Sequence, residues 1–276
     1  MQHQEGYFQS KDGLQLYGQS WLPVQPVQAH LMVIHGYGEH SGRYAHVADA
    51  LNVSGIAVHG IDLRGHGRSE GKRGDTPSWS TLLEDIRMYM DILRRRYESG
   101  NLFLYGHSVG GLVAIDYALH VEQDFRGLIA SGPVLGQAGV SPFLLFLSKI
   151  LASVVPGFQL DVNLDVDNLS RDPAVVEAYC SDPLVHGKAT ARMGAAMNAA
   201  TEACQRDAKL LRIPFLVFYG EEDKLAPPGG TEQFYANLHT EDRTKHVIAG
   251  GYHEPHNDVG KEEILSLIQT WITGRL

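Results

Sequence analysis

A serine flanked by two glycines is the residue of this chain best suited to nucleophilic chemistry. Gly106-His107-Ser108-Val109-Gly110 has the spacing G-x-S-x-G and directly follows the apolar run Asn101–Tyr105. That run predicts a buried parallel strand, and the apolar spacing of Val109–Leu119 predicts a helix after it. Ser108 would then stand on a sharp strand-to-helix turn, where the two glycines leave room for the helix to pass close to its strand. The pattern also arises by chance in a chain with 30 glycines. It therefore indicates a nucleophile only if the chain also supplies a base and an acid for Ser108.

A serine hydroxyl needs a base within hydrogen-bond distance, and the base needs an acid that fixes its tautomer. After a G-x-S-x-G turn in an α/β sheet, the acid and then the histidine follow the serine along the chain. Asp223 and His253 have this order, each in the loop after a predicted strand. Glu221 and Glu222 are alternative acids, and His256 is the alternative base. We expect Ser108, His253 and Asp223 to form a catalytic triad.

The negative charge that develops on the substrate requires two backbone N–H donors that are already in place. The residue after the nucleophile, Val109, starts the predicted helix and supplies one amide. The loop His35–His40, with the sequence HGYGEH, follows the predicted strand Ala29–Ile34. Its glycines allow backbone amides to face a ligand, so Tyr37 is the expected second donor.

Composition excludes several other classes of function. The 276 residues carry a formal net charge of −9, which argues against a nucleic-acid partner. Cys180 and Cys204 cannot form a disulfide framework, and the polar start MQHQEG does not resemble a signal peptide. The longest apolar run, Phe143–Val155, is shorter than the roughly 20 residues that span a bilayer. We expect a cytoplasmic protein with reduced thiols.

Three patterns that could bind phosphate or metal do not have the required spacing. The glycine-rich loop around Gly71-Lys72 has the wrong interval for a P-loop, and arginine follows the lysine. Asp161–Asp167 lacks the glycine and the final glutamate of an EF-hand. His253 and His256 are three residues apart with a proline between them, which does not fit H-E-x-x-H. We therefore expect neither a metal nor a cofactor.

The predicted elements describe an α/β fold whose mostly parallel sheet has helices on both faces. An antiparallel hairpin opens the chain, and β-α-β alternation then continues to Gly132-Pro133. In residues 135–211 this alternation is absent, and the pattern predicts mainly helices. The strands of the sheet resume near Phe215. We expect a core made of residues 1–134 and 212–276, with residues 135–211 inserted as a helical cap.

One predicted cap helix is apolar over about half of its circumference, which is wider than a surface helix requires. Two interpretations remain open, namely packing inside the cap and contact with a lipid or an acyl chain. Under the second interpretation, its side chains would bind substrate: Phe143, Leu147, Ile150, Leu151 and Val154.

The chain resembles the monoacylglycerol lipase family of α/β-hydrolases, whose bacterial members are also described as lysophospholipases. The motifs that carry the resemblance are HGYGEHSGRY (35–44), DLRGHGRSEG (62–71), GHSVGG (106–111), SDPLVHG (181–187), GEEDKLAPP (220–228) and YHEPHND (252–258). The resemblance implies an α/β-hydrolase fold, the triad Ser108, Asp223 and His253, and oxyanion donors at Tyr37 and Val109. It also implies a lid that makes transient contact with membranes and admits single-chain lipid esters.

We therefore expect a serine carboxylester hydrolase that cleaves monoacylglycerols through an acyl-enzyme intermediate. Two alternatives remain: a broad carboxylesterase or lysophospholipase with the same triad, and a non-catalytic ligand-binding protein of the same fold. Labelling by a fluorophosphonate distinguishes the last, because a binding protein would not react.

Overall fold

The computed structural model describes residues 1–97, 100–136, 154–162 and 164–276. Within these residues a single eight-stranded sheet forms the centre of the molecule. Its strands are β1 (Gln2–Gln9), β2 (Gln15–Leu22), β3 (Ala29–Ile34), β4 (Ile56–Ile61), β5 (Leu102–His107), β6 (Gly127–Ser131), β9 (Phe215–Gly220) and β10 (Arg243–Ile248). A separate pair consists of β7 (Gln159–Asp161) and β8 (Lys188–Thr190).

The sheet has the strand order β1-β2-β4-β3-β5-β6-β9-β10. β1 and β2 form the predicted antiparallel hairpin, and β2 pairs antiparallel with β4. All remaining neighbours are parallel, so the carboxyl ends of β3, β5, β6, β9 and β10 meet at one edge. The predicted fold class is confirmed.

Helices cover both faces of the sheet. They are α1 (Ala45–Asn52), α2 (Trp79–Tyr97), α3 (Val109–His120), α4 (Pro173–Ser181), α5 (Ala191–Asp207), α6 (Pro228–Ala236) and α7 (Lys261–Thr273). α1 and α7 bury Leu51 and Ile268 against one face, while α2 and α3 bury Ile86 and Leu112 against the other. Among the described helices, none is both long and apolar enough to cross a bilayer.

The stretch predicted to be mainly helical also contains β-structure. β7 and β8 pair antiparallel, with Leu160 opposite Ala189. Each strand has only three residues, and its partner is nearly 30 residues away, so no local alternation indicated the pair. Two of the described helices, α4 and α5, also lie within residues 135–211.

Candidate active site

Ser108 occupies the sharp turn between β5 and α3. Its backbone has φ 54° and ψ −120°, and among the described residues it is the single non-glycine with positive φ. A Cβ at Gly106 would lie 2.2 Å from the carbonyl oxygen of Gly110, and one at Gly110 would lie 2.3 Å from that of His35. The glycines therefore have the spatial role predicted for them, and the strained serine projects from the carboxyl edge of the sheet.

The structure brings the three predicted triad residues together. Ser108 Oγ lies 2.9 Å from His253 Nε2, and His253 Nδ1 lies 2.7 Å from Asp223 Oδ2. The other carboxylate oxygen of Asp223 accepts hydrogen bonds from the amides of Leu225 and Ala226 at 2.9 and 2.8 Å. Because Asp223 follows β9 and His253 follows β10, adjacent parallel strands deliver both side chains to the edge that carries Ser108.

The alternative base and the two alternative acids make other contacts. His256 is fully buried, and its Nδ1 lies 3.3 Å from the hydroxyl of Tyr105. Glu221 and Glu222 are exposed, and the Glu221 carboxylate accepts a hydrogen bond from the amide of Gly250. In the described part of the chain, none of the three side chains forms a hydrogen bond with the side chain of Ser108 or His253.

The surroundings of His253 favour its protonated form. Burial lowers the pKa of His253, but the charge and hydrogen bond of Asp223 outweigh burial, with help from Glu254 and Glu39, and the net pKa is raised. The neighbouring His107, whose ring lies 4.9 Å from that of His253, has its pKa lowered to about 4 by burial and by His253. A positive charge is thus stabilised on one imidazole of this pair and disfavoured on the other.

Tyr37 and Val109, the two predicted oxyanion residues, both line the cavity above Ser108. The amide of Gly36 donates to Glu39 Oε1 at 2.6 Å, so it is already used within the loop. The Tyr37 hydroxyl donates to the carbonyl oxygens of Lys188 and Gly74, both at 2.9 Å. These bonds fix the Tyr37 side chain away from the reacting atoms and leave its backbone as the part relevant to the site.

Backbone contacts join the predicted cap to the loops that carry the site. The amide of His186 donates to the carbonyl of Gly38 at 2.8 Å. The amide of His253 donates to the carbonyl of Asn168 at 3.3 Å, and that of Glu254 to Leu169 at 2.9 Å. Residues from 168 to 186 therefore hold both the loop of Tyr37 and the loop of His253.

A cavity of about 450 Å³ opens over Ser108 and His253. Its apolar lining consists of Val109, Val134, Val162, Leu164, Leu169, Ala189, Met193, Met197 and Leu225. Its polar lining includes Tyr37, Glu39, Tyr179, His186, Asn198 and Glu254. The cavity is therefore amphipathic.

The side chains predicted to bind substrate from the apolar cap helix remain a prediction. Phe143, Leu147, Ile150 and Leu151 lie outside the described residues. Val154 is described and is 73% exposed, and it does not line the cavity. Apolar residues that line the cavity were missed instead on α5 and next to β7, where Met193, Met197 and Val162 lie.

Sequence reasoning also missed a buried ion cluster formed by Glu39, Arg43 and Glu254, here called the Glu-Arg-Glu cluster. Arg43 contacts Glu39 at 2.5 Å and binds both carboxylate oxygens of Glu254 at 2.8 Å. Burial raises the pKa of Glu39, but the charges of Arg43, His107 and His35 and the hydrogen bond from the Gly36 amide together outweigh burial, and the pKa falls to about 2. The i, i+4 spacing of Glu39 and Arg43 was a signal for their pair, whereas nothing local indicated Glu254.

The mostly parallel sheet, the strained serine after β5 and the acid and histidine after β9 and β10 define the α/β-hydrolase fold. A family model described as serine aminopeptidase, S33, matches residues 25–260. The chain therefore belongs to this family of α/β-hydrolases.

Individual relatives are lipases by name. The chain is 34% identical to a monoacylglycerol lipase of Mycolicibacterium smegmatis, across 99% of this chain and 98% of that protein. It is 30% identical to a monoglyceride lipase of Rattus norvegicus, across 96% and 89% respectively. The crystal structure of a Paleococcus ferrophilus monoacylglycerol lipase superposes with a TM-score of 0.86, at 31% identity and with both chains fully covered.

Proposed function

We propose that the chain is a serine hydrolase that cleaves monoacylglycerols to fatty acid and glycerol. The observation that carries the proposal is the hydrogen-bonded series Ser108, His253 and Asp223, which opens into an amphipathic cavity. Relatives named monoacylglycerol lipase, which match nearly the whole chain, support the choice of substrate.

In the proposed acylation step, Ser108 Oγ attacks the ester carbonyl carbon while its proton passes to His253 Nε2. Asp223 accepts the hydrogen bond from His253 Nδ1 and stabilises the imidazolium. The carbon–oxygen bond to glycerol then breaks, and His253 returns the proton to the departing glycerol oxygen. The products are free glycerol and an acyl ester of Ser108.

The backbone amides of Tyr37 and Val109 are the proposed donors to the oxyanion of the tetrahedral intermediate. Both residues line the cavity beside Ser108, and the neighbouring Gly36 amide is occupied by Glu39. In deacylation, water attacks the acyl carbon, and its proton passes to His253 and from there to Ser108 Oγ. The fatty acid leaves and the serine is regenerated.

The apolar and polar lining residues of the cavity fit the two parts of a monoacylglycerol. Each methylene of an acyl chain buried against apolar lining residues contributes on the order of 0.8 kcal/mol. Tyr179, Glu39 and Glu254 offer hydrogen-bond partners for the hydroxyls of glycerol. Long or medium acyl chains on a small polyol should therefore be preferred over acetyl esters.

The assay that tests this function is a hydrolysis panel with the acyl chain and the head group varied independently. We expect higher kcat/KM for medium- and long-chain monoacylglycerols than for glycerol acetate, and fluorophosphonate labelling that disappears in Ser108→Ala. Equal turnover of acetyl and long-chain esters would support a broad esterase instead. Absence of both labelling and turnover would support a binding protein.

We also propose that residues 135–211 act as a cap that contacts membrane surfaces. Six apolar side chains are exposed in the described part of residues 154–164: Val154, Val155, Phe158, Leu160, Val162 and Leu164. Such a group of neighbouring exposed apolar residues is typical of contact with lipid or protein.

Vesicle sedimentation tests the membrane contact. Phe158→Asp and Leu160→Asp should each reduce binding to neutral phosphatidylcholine vesicles. The matched control is Val24→Asp, since Val24 is 88% exposed between β2 and β3. If all three variants bind vesicles as the unmodified protein does, this surface does not contact the membrane.

A further inference from the structure

The Glu-Arg-Glu cluster has two carboxylates for one guanidinium and therefore carries a formal charge of −1. Its side chains are nearly inaccessible, with exposed fractions of 2% for Glu39, 10% for Arg43 and 2% for Glu254. Glu39 also accepts hydrogen bonds from the Gly36 amide and from the Tyr44 hydroxyl. Because these partners are fixed, the cluster presents a fixed arrangement of charge.

The negative members of the cluster face the cavity, and the positive member does not. Glu39 and Glu254 line the cavity, whereas no lysine or arginine among the described residues does so. Arg43 Nη1 and Nη2 are occupied by the two carboxylates, and its guanidinium lies 4.8 Å from the centre of the Tyr179 ring. An anion in the cavity would therefore lie near two carboxylates, with no lysine or arginine of the described chain in the lining to balance them.

Other charged groups near the cavity do not reverse this balance. Asp223 adds a negative charge behind His253. Lys188 forms an ion pair with Asp161, and neither side chain lines the cavity. His107 is buried, which favours its neutral form.

The position of the head group follows from the proposed reaction. The leaving alcohol takes its proton from His253 Nε2, so its oxygen must lie within hydrogen-bond distance of that atom. Glu254 is the next residue along the chain, and it lines the same cavity. The remainder of the head group therefore lies beside the negative members of the cluster.

We propose that the Glu-Arg-Glu cluster selects esters with neutral polyol head groups and rejects anionic ones, and that Glu254 is a specificity-determining residue. A hydroxyl group carries no charge and is not repelled by the cluster, whereas an anionic phosphate is repelled by its net negative charge. This inference rests on the proposed ester hydrolysis and adds the charge of the head group to it. Lysophosphatidic acids are thus predicted to be poor substrates even when their acyl chain is optimal.

The test compares 1-acylglycerol with 1-acylglycerol 3-phosphate of the same acyl chain. Both substrates are presented in micelles of a neutral detergent, so that the charge of the interface is dominated by the detergent. The quantity measured is the ratio of kcat/KM for the neutral ester to that for the anionic ester, which is independent of the active fraction of each preparation.

Glu254→Gln is the variant that tests the role of the cluster, because it changes the formal charge from −1 to 0 at nearly constant shape. We expect the ratio to exceed roughly 100 in the unmodified protein and to fall about tenfold in Glu254→Gln. Glu232→Gln is the matched control, since Glu232 pairs with Lys245 and is absent from the cavity lining. Its ratio should equal that of the unmodified protein.

A second variant keeps the test decisive if Glu254→Gln does not fold. Asn198 lines the cavity from α5, so Asn198→Lys introduces a positive charge into the same cavity, and it too should lower the ratio. A ratio near one in the unmodified protein, or an unchanged ratio in a folded variant, would overturn the inference. If the neutral ester itself is not hydrolysed, the proposed function fails instead.

Discussion

Two serine–histidine hydrogen bonds in this molecule have almost the same length but different surroundings. Ser108 Oγ lies 2.9 Å from His253 Nε2 at the carboxyl edge of the sheet. Ser20 Oγ lies 2.8 Å from His59 Nδ1, where β2 pairs with β4. The second nitrogen of His59 lies 2.9 Å from Nδ1 of His30, so this too is a three-membered series. Hydrogen-bond length alone therefore does not identify a nucleophile.

The central histidines of the two series have opposite proton affinities. Asp223 and its neighbours raise the pKa of His253 despite burial. Burial lowers the pKa of His59 well below its ordinary value, and the charges of His30 and Arg96 lower it further. His253 can therefore accept a proton from serine at low cost, whereas His59 cannot.

Backbone geometry is the second difference. Ser20 lies inside β2, between β1 and β4, where ladder hydrogen bonds occupy the backbone amides. Ser108 lies on a left-handed turn at the start of α3, next to the cavity. A nucleophile thus requires a carboxylate partner, unoccupied amides and space for substrate, and the structure combines these around Ser108.

The largest expected effect is the loss of Ser108. Ser108→Ala should lower kcat for monoacylglycerol by at least about 10⁴-fold, because no acyl-enzyme can form. Ser20→Ala is the matched control and should keep ester turnover within about twofold. Steady-state kinetics and fluorophosphonate labelling measure both. Retained turnover in Ser108→Ala, or equal losses in both variants, would eliminate the proposed nucleophile.

The second prediction concerns the residues that contact the second ring nitrogen of each histidine, which are Asp223 for His253 and His30 for His59. Asp223→Asn should lower kcat by about 10³- to 10⁴-fold, since the imidazole loses its orientation and its stabilising charge. His30→Asn removes the corresponding partner of His59 and should leave kcat nearly unchanged. Kinetics on folded preparations, checked by circular dichroism, provide the comparison. A small effect of Asp223→Asn would point to another acid, with Glu222 the nearest candidate along the chain.

The comparison also shows how much of the site was accessible from sequence. The order Ser108, Asp223, His253 could be predicted because each residue follows an apolar strand, and parallel strands bring their carboxyl ends to one edge. The strand Ala29–Ile34 has its predicted bounds, the helix that begins at Val109 ends one residue later than predicted, and β5 extends to His107. These features depend on local periodicity and turn residues.

Features formed by distant residues were not predictable in the same way. Glu254 and Arg43 meet across 211 positions, and Ser20 and His59 across 39, and no periodicity relates them. The pairing of β7 with β8 is of the same kind. Their formation depends on the assembled fold, which brings buried polar groups together because an unpaired one is costly.

The third prediction tests the turn that distinguishes Ser108 from Ser20. Gly110→Ala places a Cβ 2.3 Å from the backbone oxygens of Ile34 and His35, so the elbow must shift. We expect a loss of roughly 2–4 kcal/mol in the free energy of unfolding. Gly6→Ala, in β1, meets no atom within 4 Å and should be neutral or stabilise by about 0.5 kcal/mol. Urea denaturation measures both, and equal stability of the two variants would contradict the close packing of the elbow.

The smallest predicted effect concerns pH, and it follows from the opposite shifts of the two histidines. His253 must be neutral to accept the serine proton, so kcat/KM should fall about tenfold per pH unit below its pKa. Because that pKa is raised above the ordinary value of about 6.5, the decline should begin above pH 6.5. In Asp223→Asn the residual activity should decline at lower pH, since the group that raises the pKa has been removed.

The free energy of unfolding should change with pH over a different range from kcat/KM. A raised pKa means that the stabilisation from His253 is fully present below about pH 6.5 and is lost as the pH rises through the folded pKa. His59 and His30 have lowered pKa values, about 4 for His30, so their contribution is present above pH 6.5 and is lost on acidification. Mild acid should therefore inactivate the protein reversibly before it unfolds. Activity regained on return to neutral pH, with an unchanged circular dichroism spectrum, checks this order, and coincident loss of activity and structure would show that unfolding, not protonation of His253, limits activity in acid.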